Sequence, residues 1–120
     1  VRGEQYLTRT EDYGLVYTRG RSWANRLLVV KAMPNGREIS RYGLSVSKRV
    51  GKAVVRNRVR RVLREVLRLQ PLRPGWDIIL IARAPAARAG YAVLREAAGN
   101  LLGRAGIIAE QREGTGTGLN

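Results

Sequence analysis

"SKRVGKAVVRNRVRRVLREVLR", residues 47–68, contains nine Lys or Arg and a single acid, Glu65. Its apolar residues are spaced for a helix. Advancing 100° per residue from Val59 places Val55, Val62, Leu63, Val66, Leu67 and Leu69 within about 80° of it, a stripe wide enough to require a sheet beneath. Arg60, Arg61, Arg64 and Arg68 cover the opposite face, with Asn57 among them. Arg58 falls on one flank and Arg56 on the other, close to the sheet side. Lys48, Arg49, Gly51 and Lys52 form a cationic loop at the helix N-terminus, where unpaired N–H groups also favour an anion. The stretch therefore predicts a helix over 53–69 with one face in the core and the other strongly positive.

Working outward, "SRYGLSVS" at 40–47 alternates, so Tyr42, Leu44 and Val46 face one side while Gly43, Ser45 and Ser47 present a small, open surface on the other. "NRLLVVKAM" at 25–33 reads as a strand, and "PNGRE" at 34–38 supplies Asn-Gly turn chemistry, so these two strands are expected to form a β-hairpin. "WDIILIAR", around 77–82, is apolar at almost every position, as in a central strand covered on both faces. With "RPG" at 73–75 as the turn, the basic helix then connects two parallel strands. Near the start, Thr8 and Glu11 have capping-box spacing, which predicts a helix over 9–18 ended by Gly20. A last helix is expected from Pro85 to Arg104, with Leu94, Ala97, Ala98, Leu101 and Leu102 inward. This gives one domain over 1–109, and residues 110–120, "EQREGTGTGLN", read as a flexible tail too polar and glycine-rich to pack.

The chain has 120 residues, 23 Lys plus Arg against 9 Asp plus Glu, and a formal charge of +14. Such a protein repels itself unless a polyanion neutralises it, which makes nucleic acid the first candidate partner. The arginines suit forked contacts to phosphate, although a GC-rich coding bias enriches Arg as well. For the 47–68 helix an ordinary solvated face fails on counting. Glu65 is the only acid within it, and like charges three and four apart, such as Arg60 and Arg61 with Arg64, destabilise a bare helix.

Catalytic chemistry has little to work with. The chain has no Cys and no His, which removes thiolate nucleophiles and histidine acid–base pairs. Only Glu11 and Asp12 are adjacent among the acids, a placement better suited to the helix dipole than to a two-metal site. Gly51-Lys52 is not a phosphate-binding P-loop, because Ala53 replaces the metal-binding hydroxyl. No catalytic or metal-ligating residue is therefore assigned. The apolar runs are too short to span a bilayer and "VRGEQYLTRT" lacks a signal-peptide core, so a cytoplasmic protein without a membrane partner is expected.

"GLSVSKRVGKAVVRNRVRRVLRE" resembles the signature of the bacterial ribonuclease P protein family, an Arg-Asn-Arg helix reached from a strand through a Ser-Lys-basic-apolar-Gly loop. "LTRTEDYGLVYTRG" is similar to the family's N-terminal helix, "ANR" at 24–26 to the approach to a strand, and "IILIARAPA" to its last strand and turn. The resemblance covers roughly residues 6–105. It implies an α+β domain with a mixed four-stranded sheet, α-β-β-β-α-β-α order and a left-handed β-α-β crossover, against the usual hand. It further implies the small subunit of an endoribonuclease ribonucleoprotein that removes the 5′ leader of precursor tRNA. The catalytic centre and Mg²⁺ then belong to the large RNA, and the protein is expected as a monomer bound 1:1 to it.

Carried onto this sequence, contact with the catalytic RNA falls to Lys48, Arg49, Lys52, Arg56, Asn57, Arg58, Arg60, Arg61 and Arg64. Asn57 can both donate and accept, so it suits a ribose hydroxyl or a neighbouring backbone where another Arg can only donate, with bonding to its own helix the rival role. A leader-binding cleft between the N-terminal helix and the open sheet face is implied for Tyr13, Tyr17, Lys31, Ser45 and Ser47. Tyr13 and Tyr17, four apart, share a helix face and can stack on bases, with core packing the rival role. The family commonly has Phe at these two positions and an aromatic where Lys31 stands. The competing readings are a noncatalytic RNA-binding module, such as a small ribosome-associated protein, and a polybasic membrane-surface protein.

Overall fold

The computed structural model describes residues 6–109. In chain order the elements are α1 (Thr10–Arg19), β1 (Arg21–Ala24), β2 (Leu28–Pro34), β3 (Arg41–Ser45), α2 (Ala53–Arg68), β4 (Trp76–Ala82), a 3₁₀ turn (Ala84–Arg88) and α3 (Tyr91–Arg104). The four strands form one mixed sheet in the order β1-β2-β4-β3, with β2–β4 antiparallel and β3–β4 parallel. This is the α+β arrangement and element order that the family resemblance implies. The glycine-rich tail at 110–120 lies outside the described residues.

The sheet separates two layers. On one face, Leu28, Val30, Ala32, Tyr42, Ile78 and Leu80 pack with Val59, Leu63, Val66 and Leu67 of α2 and Leu94, Ala98, Leu101 and Leu102 of α3. On the other, α1 sets Val16 against Ile79, joined by Leu7 and flanked by Tyr13, Met33 and Ile81. β4 lies between β2 and β3 and has buried residues on both faces, which explains its unbroken apolar run.

That placement overturns the expected β2–β3 hairpin. The two strands lie two strand spacings apart, about 9.6 Å, a gap too wide for a two-residue turn. Residues 35–40 cross it, with Gly36 at φ 70° beginning the turn, Asn35 N–H donating to Gly75 O (2.8 Å) and Asn35 Nδ2 to Asp77 Oδ1 (2.8 Å). Asn-Gly thus begins a crossover over the end of β4. The hairpin in the fold is β1–β2, paired from Arg21–Ala32 to Ala24–Val29. Asn25 closes it: Oδ1 accepts the N–H groups of Leu27 (3.1 Å) and Leu28 (2.9 Å), and Nδ2 donates to Ala97 O of α3 (3.0 Å).

Three smaller expectations are also corrected. Arg9, not Thr8, occupies the N-cap of α1, and its side chain makes no capping bond, so the capping box does not form. The segment from Pro85 is not one helix. Its 3₁₀ turn ends at Arg88, and α3 begins beyond Gly90, as Arg58 Nη2 donates to Ala87 O (2.5 Å) and holds the turn against α2. Leu69 is the C-cap of α2 and 55% exposed, because the chain leaves the helix there before it can complete the apolar stripe.

Candidate nucleic-acid interface

The loop feeding α2 is built to point its charges outward. Val50 is buried and anchors it, while Lys48, Arg49 and Lys52 remain exposed. Val50 N–H donates to Ser47 O (3.0 Å) and Arg49 N–H to Ser47 Oγ (3.3 Å). Ser47, expected in the cleft, is therefore exposed and turned to its own loop. Gly51 takes φ 154°, a conformation L side chains rarely adopt, and a Cβ there would meet Val55 at 3.1 Å. Glycine thus lets the loop pass close over the first turn of α2, where Arg56 Nε donates to Gly51 O (3.1 Å).

Along α2 the nine cations of residues 47–68 divide by role. Arg68 pairs with Glu65 (2.6 Å), and that bond both lowers the Glu65 pKa and raises that of Arg68. Arg58 is drawn toward the 3₁₀ turn and Arg56 toward its own loop. Among the described residues, Lys48, Arg49, Lys52, Arg60, Arg61 and Arg64 have no carboxylate within ion-pair distance. Asn57 has a defined partner: its Oδ1 accepts from Arg60 Nη1 (2.9 Å), which orients a guanidinium without neutralising it. An Arg or Lys at 57 has no acceptor to offer there.

The other predicted residues lie on the α1 side of the sheet. Strand register puts Lys31, Ile79 and Gly43 in one row across β2, β4 and β3, and Val29, Ile81 and Ser45 in a parallel row. All three residues of the second row stay half-buried, leaving a strip of sheet that α1 does not fully cover. Tyr13 leans over Gly43, and burial raises its pKa above the ordinary tyrosine value, partly offset by the Leu44 backbone N–H. Tyr17 is 41% exposed. Of the five cleft residues, Tyr13, Lys31 and Ser45 lie on this face with Tyr17 at its rim, and Ser47 stands apart.

Two features had no local signal in the sequence. Arg41 of β3 makes a forked pair with Asp77 of β4 (Nε–Oδ1 2.9 Å, Nη2–Oδ2 2.6 Å) and reaches Asp12 of α1 at 3.4 Å. The Asp77 hydrogen bond is the main reason the Arg41 pKa is raised. This buried group joins α1 to the sheet and so holds one wall of the cleft in place. In addition, Arg26, Arg49 and Arg88, from three separated segments, line an open cavity of about 710 Å³ beside the 3₁₀ turn. Only the fold brings them together.

The arrangement can neutralise and orient polyanions, and its catalytic inventory is small. Among the described residues no three acidic side chains cluster as metal ligands, and Asp12 and Asp77 are engaged by Arg41. No described helix is long and apolar enough to cross a membrane. The apolar face of α2 is buried in the core, which removes the surface a membrane-lying helix would insert. Fold and site together define a small, basic α+β domain of the nucleic-acid-binding class.

Comparison with known proteins narrows the class. The sequence model of the Ribonuclease P family matches residues 2–106. The ribonuclease P protein component of Dehalococcoides mccartyi is 48% identical over 109 residues, covering 91% of each chain. The solved structure of the Staphylococcus aureus RNase P protein superposes with a TM-score of 0.80 at 31% identity, over 88% of this chain and 98% of that one. The RNase P protein from Thermotoga maritima gives a TM-score of 0.76 at 33% identity, over 82% and 96%. The chain belongs to the ribonuclease P protein component family, the protein part of a tRNA-processing endoribonuclease.

Proposed function

We propose that this protein binds the catalytic RNA of ribonuclease P through the α2 face and its loop, and holds the 5′ leader of precursor tRNA against the α1 side of the sheet. The observation that carries this reading is that, among the described residues, Lys48, Arg49, Lys52, Arg60, Arg61 and Arg64 of α2 and its loop have no carboxylate partner, while the other face of the helix is locked in the core. Neutralising RNA phosphates relieves their mutual repulsion and releases counterions, so binding is favoured by the same charges that burden the free protein. Arg56 and Arg58 act at the flanks, where their bonds to the loop and the 3₁₀ turn also shape the surface.

In the cleft, Tyr13 and Tyr17 offer stacking faces, Lys31 a charge for the leader backbone, and Ser45 a hydroxyl on the open strip. Ser47 contributes through the loop it organises. Among the described residues no three acids cluster to hold Mg²⁺; in this reading the metal and the cleaved bond belong with RNA phosphates, and the protein raises local positive charge and positions the leader. The complex is a cytoplasmic 1:1 assembly of this chain with the RNA.

The decisive experiment is cleavage of a precursor tRNA at low Mg²⁺ with a bacterial ribonuclease P RNA, the protein, or both. Stimulated cleavage at the leader junction only in the complete mixture supports the reading. Tight RNA binding without stimulation would leave a noncatalytic RNA-binding module, and cleavage by protein alone would place the active site in this chain.

A further inference from the structure

β3 is an edge strand, and its outer side is covered by the N-terminal segment. Tyr6 forms a parallel bridge to Tyr42, and Leu7 N–H donates to Tyr42 O (2.9 Å). Tyr6 and Tyr42 meet edge to face with ring centroids 5.0 Å apart. At this edge is a notch of about 200 Å³ lined by Tyr6, Tyr13, Tyr42, Leu44, Arg60 and Arg64, among others. It joins the two surfaces assigned above, because Tyr13 belongs to the cleft and Arg60 and Arg64 to the α2 face.

We infer that this notch is a binding site for a single unpaired ribonucleotide, whose base stacks on Tyr6 and whose phosphate meets Arg60 and Arg64. Three observations converge on that ligand. The notch is smaller than the roughly 300–1,000 Å³ of sites that enclose a whole drug-sized molecule, and suits one planar ring system. The two guanidinium groups stand one helical turn apart with no carboxylate partner among the described residues, and Arg60 is already oriented by Asn57. Aromatic rings beside paired arginines combine a stacking surface with a phosphate clamp, the two elements by which unpaired RNA is held. Tyr6 and Tyr13 are both half-buried, so each ring is held by the fold while part of it stays accessible.

The inference rests on the α2 face lying against RNA, and the nucleotide can come from the catalytic RNA or from the leader. The test uses the full chain with Tyr6→Met, Tyr6→Phe, Arg64→Gln and the Tyr6→Met/Arg64→Gln pair, each checked by thermal melting. Affinity is measured for ribonuclease P RNA alone and for precursor tRNAs of increasing leader length bound to the assembled complex. Loss of one stacked base predicts about tenfold weaker binding for Tyr6→Met, near wild-type binding for Tyr6→Phe, and a double variant less impaired than the product of the singles. A defect with RNA alone identifies the catalytic RNA as the source; a defect appearing only beyond a given leader length identifies the leader. Wild-type binding of both RNAs by a folded Tyr6→Met, or strictly multiplicative effects, would overturn the site. Arg61→Gln, on the same helix outside the notch, separates the two levels. If it weakens RNA binding while Tyr6→Met does not, the notch alone is refuted; if both are neutral, the interface reading falls as well.

Discussion

Gly43→Ala tests how the cleft is built. A Cβ at this position would lie 2.6 Å from Tyr13 Cζ and 2.8 Å from Cε2, about 1 Å inside normal carbon–carbon contact. The strand cannot yield easily, since Gly43 is paired in register with Ile79 at the centre of the sheet. Tyr13 must therefore swing off the strand. Overpacking of this kind costs about 1–3 kcal/mol, so a loss near 2 kcal/mol is expected, equivalent to a fall of about 1 M in the urea midpoint. Tyr13→Ala removes the obstacle, so Gly43→Ala should cost markedly less in that background, a coupling of about 1 kcal/mol or more in a double-mutant cycle. The same cycle repeated with precursor tRNA binding reports whether the displaced ring also served the leader. A Gly43→Ala protein as stable as wild type, with effects that simply add to those of Tyr13→Ala, would refute the packing argument.

Other substitutions and conditions probe the remaining layers. Asp77→Ala leaves the Arg41 side chain, 12% exposed, with Asp12 at 3.4 Å as its remaining carboxylate, and should cost about 3–5 kcal/mol by denaturant unfolding. If about six phosphates are neutralised, RNA affinity should fall roughly 10³-fold between 50 and 200 mM salt; filter binding across that range that stays flat would contradict the electrostatic account. Burial raises the pKa values of both Tyr13 and Tyr42, the latter beside Tyr6, and among the described residues the buried Tyr42 hydroxyl has no hydrogen-bond partner. Because the folded values exceed the unfolded value near 10, this stability is complete below about pH 10 and is lost as pH rises past it toward the folded values. Melting temperature should therefore drop steeply above pH 10, and Tyr42→Phe should make that drop shallower.

Residue order alone carried α2 and its two faces, because a helix of sixteen residues repeats its amphipathic pattern over several turns. It also carried β4, whose apolar run has no other stable place than the middle of a covered sheet. The family signature was legible for the same reason: the loop and helix are contiguous, so their chemistry is local. β1 gave no comparable signal, being four residues long and mostly exposed at a sheet edge. The partner of β2 was likewise hidden, since Asn-Gly chemistry specifies a turn but not which strand lies beyond it, and β4, with both faces buried and both edges paired, takes the intervening place. Tertiary structure alone decided which charges remained unpaired: Arg58 went to the 3₁₀ turn, Arg41 to Asp77, and Asn57 to Arg60. It also decided that Tyr6, from the N-terminal segment, should line the same notch as Arg64 at the edge of β3. Such juxtapositions join positions tens of residues apart, where local periodicity contains no information and only the closed chain sets the distance.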